Sequence, residues 1–477
     1  MTALWTSDEI AAATGGKAST RFEATGVTFD SREVQPGDLF VAMPGTVHDG
    51  HKFVDGAFAA GAAGAIVSQA VDGPHVLVAD TFAALQALGR ASRERSRATI
   101  FGVTGSVGKT STKEALYAAL ERNRPGKVHR SVKSYNNHTG VPLSIARMPR
   151  DAEFAVLEMG MNNAGEIRAL TAQVRPHITL ITAIAPAHIE NLGSEEAIAD
   201  AKAEIFDGLE PSGIAIIPND TPYRDRLLKA ARRRAERIIT FGNGDADVHA
   251  VHAVSAEGSG SLISAALLER ELTFTISQPG GHWVSNALGV LAAVEAAGAD
   301  VAIAGLALAD RGGLKGRGER HRLHVDGGDI LLIDESYNAN PASMAATLAS
   351  LGAEKEAARR IAVLGPMREL GAHSEALHAG LAPAVLSAHV DRLILIGDEM
   401  VPLDDALDGS VAVDRVSTVA EATDRLRHLT LNPPRGQTPD RLRHLVHPGD
   451  AVLVKASNSV GLAKLVESMA KEPACST

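Results

Sequence analysis

A glycine-rich turn between an apolar strand and a helical stretch is the strongest chemical signal in this sequence. Residues 101–114 read FGVTGSVGKTSTKE, so a strand enters the turn and Gly108, Lys109 and Thr110 open a helix. The N–H groups of such a turn and of the helix N-terminus bind phosphate oxygens. Lys109 can reach the β- and γ-phosphates, and Thr110 can hold Mg²⁺. The pattern predicts an ATP or GTP site, although strict P-loop spacing would place a glycine where Val103 stands.

Ligands for a metal ion lie at other strand ends. Mg²⁺ prefers oxygen ligands and keeps several waters, so one or two protein ligands beside bound phosphates suffice. The Thr110 hydroxyl and the carboxylate of Glu158, which follows the apolar run FAVL, are the natural pair. His188 follows the run ITLITAI and is a candidate ligand for a second metal. The alternative is an ordinary solvated loop histidine.

Lys202 is a lysine in an apolar setting. Ser194 suits the cap of a helix along which Ile198, Ala201 and Ile205 form an apolar stripe, and Lys202 falls on that stripe. A charged ammonium is costly there unless it is paired, and burial favours the neutral amine. The pattern leaves two interpretations open. The lysine reaches the helix edge, or it is held in a polar site where it is chemically modified.

Five apolar runs are each followed by a residue or turn that could bind a ligand or take part in catalysis. Asp334 follows the run ILLI and Lys455 follows AVLV, as the phosphate turn, Glu158 and His188 follow theirs. Open α/β sheets bind ligands at the carboxyl ends of their strands. The repetition favours one composite site over ordinary exposed strand ends.

The composition indicates a folded protein of several domains. The chain has 477 residues, 45% hydrophobic and 22% charged, which predicts about three domains. A net charge of −10 and only 4% aromatic residues argue against nucleic-acid binding. The single cysteine, Cys475, excludes an internal disulfide and fits a reducing cytoplasm. We find neither a signal peptide nor a run of 18 apolar residues, so no membrane insertion is expected.

Apolar runs alternate with helical stretches, and this alternation predicts an α/β fold with parallel sheets. The chain divides into three blocks, 1–97, 98–314 and 315–477. The first block is expected to hold strands at 39–43 and 65–68 and a helix at 54–63. The second opens with a strand at 99–103 and has β character at 247–277. The third has strands at 330–334, 360–364, 392–396 and 451–454, the rhythm of a doubly wound sheet.

Several separated motifs together resemble the Mur ligases, the ATP-dependent amide-bond-forming enzymes of peptidoglycan synthesis. The resemblance spans essentially the whole chain. Its motifs in the first block are FDSR at 29–32, PGDLFVAMP at 36–44 and DGHKF at 49–53. Those in the second are the phosphate turn, NNHTGVPL at 136–143, EMG at 158–160, GEI at 165–167, APAHI at 185–189, AKAEIF at 201–206 and PGGHWVSNAL at 279–288. Those in the third are IDESYNANPASM at 333–344 and VLGPMRELGAHS at 363–374.

The resemblance implies an N-terminal α/β domain that binds a uridine nucleotide, a central P-loop ATPase domain with a mostly parallel sheet, and a C-terminal Rossmann-like domain. The implied enzyme is a bacterial cytoplasmic monomer. It adds D-alanyl-D-alanine to UDP-N-acetylmuramoyl-tripeptide through an acyl phosphate, using ATP and Mg²⁺. In this family the position of Lys202 is a carbamylated lysine whose carbamate binds Mg²⁺.

The resemblance also assigns site residues, position by position. The catalytic set is Lys109, Glu158, His188, Lys202 and Arg317, and the metal set is Thr110, Glu158, His188 and carbamylated Lys202. The ATP-binding set is Thr104, Gly105, Ser106, Val107, Gly108, Lys109, Thr110, Ser111, Asn286, Arg317 and Asp334. The uridine-nucleotide set is Ser31, Arg32, Asp49, Gly50 and His51, and the dipeptide set is Tyr337, Asn338, Asn340, Glu369, Leu370 and Ser374.

Four positions depart from the family pattern. The family has Asn, Asp, Asp and Gly where Trp283, Glu335, Pro366 and Ala456 stand. Glu335 keeps a carboxylate, and Trp283 shifts the expected adenine contact to Asn286.

Three other functions fit the sequence less well than a ligase that adds the dipeptide. A sister ligase that adds one amino acid is disfavoured because SYNANP stands where an Asp-Asn-Pro-Arg motif would be expected. A folylpolyglutamate synthase would leave the first block without a purpose. A P-loop switch that is not a ligase is the alternative from a different class.

Overall fold

The computed structural model describes residues 3–45, 49–255, 260–325, 328–427 and 446–470. Cys475 lies outside these ranges. Three larger sheets, each flanked by helices, are built from strands within 17–77, 99–276 and 319–455 of the described residues. The predicted α/β fold with mostly parallel sheets is confirmed. No helix in the described ranges is long and apolar enough to cross a membrane.

The first sheet follows the order β2-β7-β6-β5-β4 and is parallel except for the β2–β7 pair. The strands of this block are Trp5–Thr6 (β1), Lys17–Ala18 (β2), Glu23–Ala24 (β3), Gly26–Thr28 (β4), Asp38–Val41 (β5), Gly64–Val67 (β6) and His75–Leu77 (β7). The helices are Ser7–Thr14 (α1), Val54–Ala59 (α2) and Thr81–Arg95 (α3). The helix predicted at 54–63 is too long, because Gly61 turns into the left-handed region at φ 101°.

The central sheet follows the order β16-β15-β14-β13-β12-β11-β8-β10-β9. Its strands are Thr99–Thr104 (β8), Val128–Arg130 (β9), Phe154–Glu158 (β10), Ile178–Ile181 (β11), Ile214–Pro218 (β12), Arg237–Gly242 (β13), Val248–Ser255 (β14), Ser261–Ala266 (β15) and Glu271–Ile276 (β16). The helices are Lys109–Asn123 (α4), Gly140–Ala146 (α5), Glu166–Val174 (α6), Ile189–Leu192 (α7), Glu195–Ala203 (α8), Arg224–Ala231 (α9), Gly281–Ala296 (α10) and Val301–Ala309 (α11). Only β14–β15 and β15–β16 pair antiparallel within this sheet as described.

Apolar side chains alternate between the two faces of the central strands. Phe101 and Val103 of β8 pack towards α4, α10 and α11. Ile100 of β8 and Leu157 of β10 pack on the other face, towards α5, α6, α8 and α9. Because both faces are covered, the strands read as the continuous apolar runs seen in the sequence.

The third sheet follows the order β17-β18-β22-β19-β20-β21 and is parallel except for β17. Its strands are Glu319–Val325 (β17), Gly328–Glu335 (β18), Arg360–Leu364 (β19), Arg392–Ile396 (β20), Ala412–Val416 (β21) and Ala451–Lys455 (β22). The helices are Pro341–Gly352 (α12), Ser374–Ala379 (α13), Ala382–Ser387 (α14), Val401–Leu407 (α15), Val419–Arg427 (α16) and Ala463–Ala470 (α17). Ala362 packs towards α12, α14 and α15 and Val363 towards α16 and α17, so the predicted doubly wound arrangement is confirmed.

Strand order brings the chemically interesting residues together. The neighbours β11, β8 and β10 are parallel, so the segments that follow them share one edge of the sheet. In the third sheet β18 and β22 are parallel neighbours, with Glu335 opposite Lys455. Residues 310–318, which we call the linker, connect α11 to β17 and lead from one sheet to the other.

Candidate functional site

The largest group of predicted residues meets in a cavity of about 420 Å³. One wall comes from the central block: Ser106, Val107, Gly108, Lys109, Thr110, Ser111, Glu158, His188 and Asn286. The other comes from the linker and the third block: Arg317, Glu335, Tyr337, Asn338, Asn340 and Lys455. The volume falls in the range of small-molecule sites.

The phosphate turn has the geometry that its sequence predicts. Gly105 and Gly108 have φ of 149° and 81°, which disfavour any other residue. A Cβ on Gly105 would lie 2.0 Å from Oγ1 of Thr182. Gly108 precedes α4 and offers it no side-chain cap, so the first N–H groups of the helix remain available to an anion.

Lys109 curls back over the turn. Its Nζ donates to the carbonyl oxygen of Gly105 at 2.7 Å. Burial lowers the pKa of Lys109 to about 8, an effect that Glu158 opposes and Arg317 reinforces. The lysine is therefore a cation held at the turn without a carboxylate hydrogen-bonded to it.

Glu158 is buried at the end of β10 and is met by several donors. Oγ1 of Thr110 lies 2.9 and 3.1 Å from its two carboxylate oxygens. Nδ2 of Asn136 donates to Oε1 at 2.8 Å. Nζ of Lys113 lies 3.9 Å from Oε2. A hydroxyl and a carboxylate thus stand side by side next to the phosphate turn, which is the donor set predicted for Mg²⁺.

Lys202 lies inside the protein near the end of α8, a helix capped by Ser194 through the N–H of Ala197 at 3.2 Å. Its side chain is buried, and its Nζ has no hydrogen-bond partner among the described residues. Burial holds the pKa of Lys202 well below its ordinary value, and the nearby charge of Lys109 lowers it further. The interpretation that Lys202 reaches the helix edge is therefore wrong.

His188 occupies an unusual backbone position before α7. Its φ is 59°, in the left-handed region, and its ring faces the cavity. Nδ1 of His188 lies 2.5 Å from Oε2 of Glu369, which comes from the third block. The hydrogen bond with His188 lowers the pKa of Glu369. The predicted dipeptide ligand Glu369 thus contacts the predicted metal ligand instead of lining the cavity.

The third-block wall is held by a buried lysine. Nζ of Lys455 donates to the carbonyl oxygen of Asn338 at 3.0 Å and lies 3.4 Å from Oε2 of Glu335. The guanidinium of Arg317 stacks over the ring of Tyr337, 4.1 Å from its centroid. Glu335, which departs from the family pattern, keeps its carboxylate in the cavity.

Four predicted site residues make structural hydrogen bonds or pack in the core of the described structure, and they do not line the cavity. Asp334 accepts hydrogen bonds from the N–H groups of Gly316 at 2.9 Å and Ser336 at 3.0 Å, so its carboxylate fixes the linker. Leu370 is buried in the core of the third block. Ser374 Oγ lies 3.3 Å from Nδ1 of His378, and Oγ1 of Thr104 donates to a backbone carbonyl at 2.8 Å.

The predicted uridine-nucleotide residues lie at the carboxyl edge of the first sheet, after β4 and β5. Nδ1 of His51 lies 2.7 Å from Oδ1 of Asp49, and its Nε2 accepts the N–H of Ser68 at 2.9 Å. A Cβ on Gly50 would lie 2.6 Å from backbone atoms of Met43. Two further predicted residues, Ser31 and Arg32, follow β4, and Arg32 pairs with Asp30 at 2.6 Å.

Sequence reasoning missed several residues of this site, among them Asn136, Lys113 and His282. Asn136 stood within a quoted motif, NNHTGVPL, but was not assigned to Glu158. Lys113 carried no signal beyond its place one turn after Lys109. His282 faces the cavity, and burial lowers its pKa to about 4, so it is neutral near pH 7.

Comparison with known families covers most of the chain. The family described as "Mur ligase middle domain" matches residues 103–294. "Mur ligase, glutamate ligase domain" matches residues 316–458, and "Mur ligase family, catalytic domain" matches residues 23–107.

Curated relatives match over nearly the full length. The UDP-N-acetylmuramoyl-tripeptide--D-alanyl-D-alanine ligase of Bacillus subtilis is 32% identical, with 96% of each chain covered. The ligase of the same name from Escherichia coli is 32% identical, with 94% of each chain covered.

Solved structures agree with the sequence comparison. MurF from Acinetobacter baumannii superposes with a TM-score of 0.83 at 28% identity, covering 98% of this chain and 99% of that one. The MurF ligase from Thermotoga maritima in complex with ADP gives a TM-score of 0.75 at 27% identity, covering 94% and 97%. The resemblance drawn from the motifs is confirmed, and the chain belongs to the Mur ligase family.

Proposed function

We propose that this chain is an ATP-dependent ligase that adds D-alanyl-D-alanine to UDP-N-acetylmuramoyl-tripeptide. The observation that carries the proposal is one cavity that joins the phosphate turn to side chains from beyond the linker. The names of the nearly full-length relatives, and the ADP complex of the Thermotoga maritima ligase, support the substrates and the nucleotide.

The reaction has two steps. An oxygen of the tripeptide's terminal carboxylate attacks the γ-phosphorus of ATP, the bond to the β-phosphate oxygen breaks, and ADP leaves. The amino group of D-alanyl-D-alanine then attacks the acyl phosphate carbonyl, and phosphate leaves with the electrons of the C–O bond. The amine loses one proton as the amide forms. Such chemistry needs positioning and charge neutralisation more than a protein nucleophile.

Cations around the turn supply part of that neutralisation. Lys109 lies on the turn itself, and Arg317 faces the same cavity from the linker. Both would attract the charge that develops on the transferred phosphoryl group. Asn286 lies directly beside Gly108, with its Oδ1 2.9 Å from where a Cβ on Gly108 would stand, and is proposed to contact the nucleotide.

The side chains next to the phosphate turn are suitable ligands for Mg²⁺. Thr110 and Glu158 would hold one ion, and His188 would hold a second. The buried, unpartnered Nζ of Lys202 fits a carbamate, because CO₂ adds only to a neutral amine and the carbamate oxygens would extend towards the same region. Bound Mg²⁺ would neutralise phosphate charge during transfer. Glu369 would keep His188 oriented through the pair at Nδ1.

The three blocks are proposed to act as domains with separate ligands. Residues 1–97 would bind the uridine nucleotide through Ser31, Arg32, Asp49, Gly50 and His51. Residues 98–314 would bind ATP, and residues 315–477 would bind the dipeptide, with Tyr337, Asn338 and Asn340 in its pocket. The enzyme is proposed to work as a monomer in the bacterial cytoplasm.

A competition assay tests the choice of acceptor. The chain is incubated with ATP, Mg²⁺ and UDP-N-acetylmuramoyl-tripeptide plus an equimolar mixture of D-alanyl-D-alanine and single amino acids. Mass spectrometry of the nucleotide product should show only the mass gained from the dipeptide. A product extended by one amino acid would favour the sister-ligase alternative.

A further inference from the structure

Residues 131–136, between β9 and α5, contact all three blocks, and we call them the junction loop. Towards the first block, Oη of Tyr135 donates to Oε2 of Glu33 at 3.2 Å. Towards the third block, Ser134 Oγ accepts a hydrogen bond from Oη of Tyr337 at 2.8 Å. Lys133 of the same loop also pairs with Glu33. The junction loop therefore has an arm on each flanking block, formed by Lys133 and Tyr135 towards Glu33 and by Ser134 towards Tyr337.

A fully buried lysine anchors the junction loop to the helix of the phosphate turn. Lys113 lies four residues after Lys109 in α4, so both side chains leave the same side of the helix. Nζ of Lys113 donates to the carbonyl oxygens of Ser131 at 2.9 Å and Lys133 at 2.8 Å. Lys133 has φ 54°, so the chain turns sharply where the lysine holds it.

The junction loop also holds the buried carboxylate of the site. The N–H of Glu158 donates to Oγ of Ser131 at 3.2 Å, and Asn136 donates to Oε1 of Glu158 at 2.8 Å. The charge of Lys113 is balanced by Glu114 at 3.0 Å and Glu158 at 3.9 Å. A buried ammonium with two backbone bonds and two carboxylates is a rigid connection, since breaking any part leaves a buried polar group unpaired.

We propose that the junction loop couples nucleotide binding at the phosphate turn to the positions of both flanking blocks, with Lys113 as the positioning residue. The inference rests on the proposed function only for nucleotide binding at the turn. When phosphates order the first turn of α4, the Lys113 side chain moves with it and carries the carbonyls of residues 131 and 133. Through its contacts with Glu33 and Tyr337, the junction loop then orders the neighbouring segments of the first and third blocks.

Hydrogen exchange of the full chain, with and without a non-hydrolysable ATP analogue and Mg²⁺, tests the coupling. In the unaltered protein the analogue should slow exchange in three segments: 104–111 at the turn, 29–36 in the first block and 334–340 in the third. In Lys113→Met, which keeps the length of the side chain but removes the ammonium, the slowing should remain at 104–111 and be lost in the two flanking segments.

The contact of the junction loop with each flanking block can be removed separately by a substitution that leaves the buried Lys113 in place. Ser134→Ala should abolish the slowing at 334–340 and leave it at 29–36. Glu33→Ala should do the reverse. Lys127→Met, which removes a surface ion pair with Asp151 just before β9, is the matched control and should leave all three segments slowed.

The outcomes separate this inference from the proposed function. Undiminished slowing of both flanking segments in Lys113→Met, or in both arm variants, would overturn the coupling. If Lys113→Met does not fold, the arm variants decide alone. No slowing at 104–111 in the unaltered protein would overturn the nucleotide site itself.

Discussion

At the scale of single residues, two lysines in different states meet near the phosphate turn. Lys109 is held on the turn by a carbonyl oxygen, while Lys202 is buried with no partner among the described residues. The charge of Lys109 helps to hold the pKa of Lys202 low. One lysine can thus serve as a cation for phosphate while the other stays a neutral amine.

Lys109 should make nucleotide affinity depend on pH. Its pKa in the free protein is about 8, so the charged form dominates below that pH and is lost above it. Because phosphate binds the charged form, the dissociation constant for ADP should be steady near pH 7. It should rise above pH 8 by up to about tenfold per pH unit. Isothermal calorimetry from about pH 7 to about pH 10 measures this.

The matched variant is Lys109→Met, which should bind ADP more weakly and with little change over the same pH range. A flat curve for the unaltered protein would contradict the assignment of Lys109 to phosphate. A curve in Lys109→Met as steep as in the unaltered protein would place the titrating group elsewhere.

Lys202 should form a carbamate. With ¹³C-labelled bicarbonate, the unaltered protein should show a protein-bound carbonyl resonance in its ¹³C NMR spectrum. Lys202→Met should lack that resonance, because the neutral buried amine is gone. Lys229→Met, which removes an exposed lysine of α9, should keep it. Equal spectra from all three proteins would rule out Lys202 as the modified residue.

The residue types of the phosphate turn could be predicted because local chemistry dictates them. The turn needs glycine at positions 105 and 108, where φ is positive, and a helix begins directly after it. Lys109 and Thr110 therefore stand at the start of that helix. Asp334 could not be assigned in this way. A carboxylate at a strand end serves a ligand or a backbone turn equally well, and only the three-dimensional contacts show that it holds the linker.

At the scale of elements, strand ends fix the site. The buried strands β8, β10, β18 and β22 were visible in the sequence because both of their faces are covered. Helix ends were harder to predict, as the early end of α2 at Ala59 shows, because a single turn residue decides them. The order of the strands has no local sequence signal. The sequence could pair Thr110 with Glu158 by their chemistry, but only the fold shows that β8 and β10 are neighbours.

Asn340 should act as both a helix cap and a cavity residue. Its Oδ1 accepts the N–H of Ser343 at 2.9 Å and caps α12, while the residue lines the cavity. Asn340→Ala should lower the free energy of unfolding by about 1 kcal/mol because the cap is lost. Asn340→Asp keeps the cap but removes the amide donor, so it should keep stability and raise KM for D-alanyl-D-alanine.

Asp300→Ala is the control for this prediction. Asp300 caps α11 through the N–H groups of Ala302 and Ile303, and its loss should lower stability by a similar amount without changing KM. Urea unfolding and steady-state kinetics measure the two effects. An unchanged KM in Asn340→Asp would remove Asn340 from the dipeptide pocket.

At the scale of the whole molecule, the cavity exists because residues far apart in sequence meet across the linker. Tyr337 and Ser134 are 203 positions apart, and His188 meets Glu369 from another block. Such contacts depend on single side chains with no period or spacing, so the sequence could not predict them. The motifs contain most residues of the cavity and predict one composite site, whereas the fold shows which side chains contact one another there.

The most direct test of the central claim is phosphate release from ATP and Mg²⁺ with one substrate omitted at a time. The proposed ligase should release phosphate only when UDP-N-acetylmuramoyl-tripeptide and D-alanyl-D-alanine are both present, with one amide bond formed for each phosphate. Phosphate release that is independent of both acceptors would contradict the ligase assignment and leave only a nucleotide site.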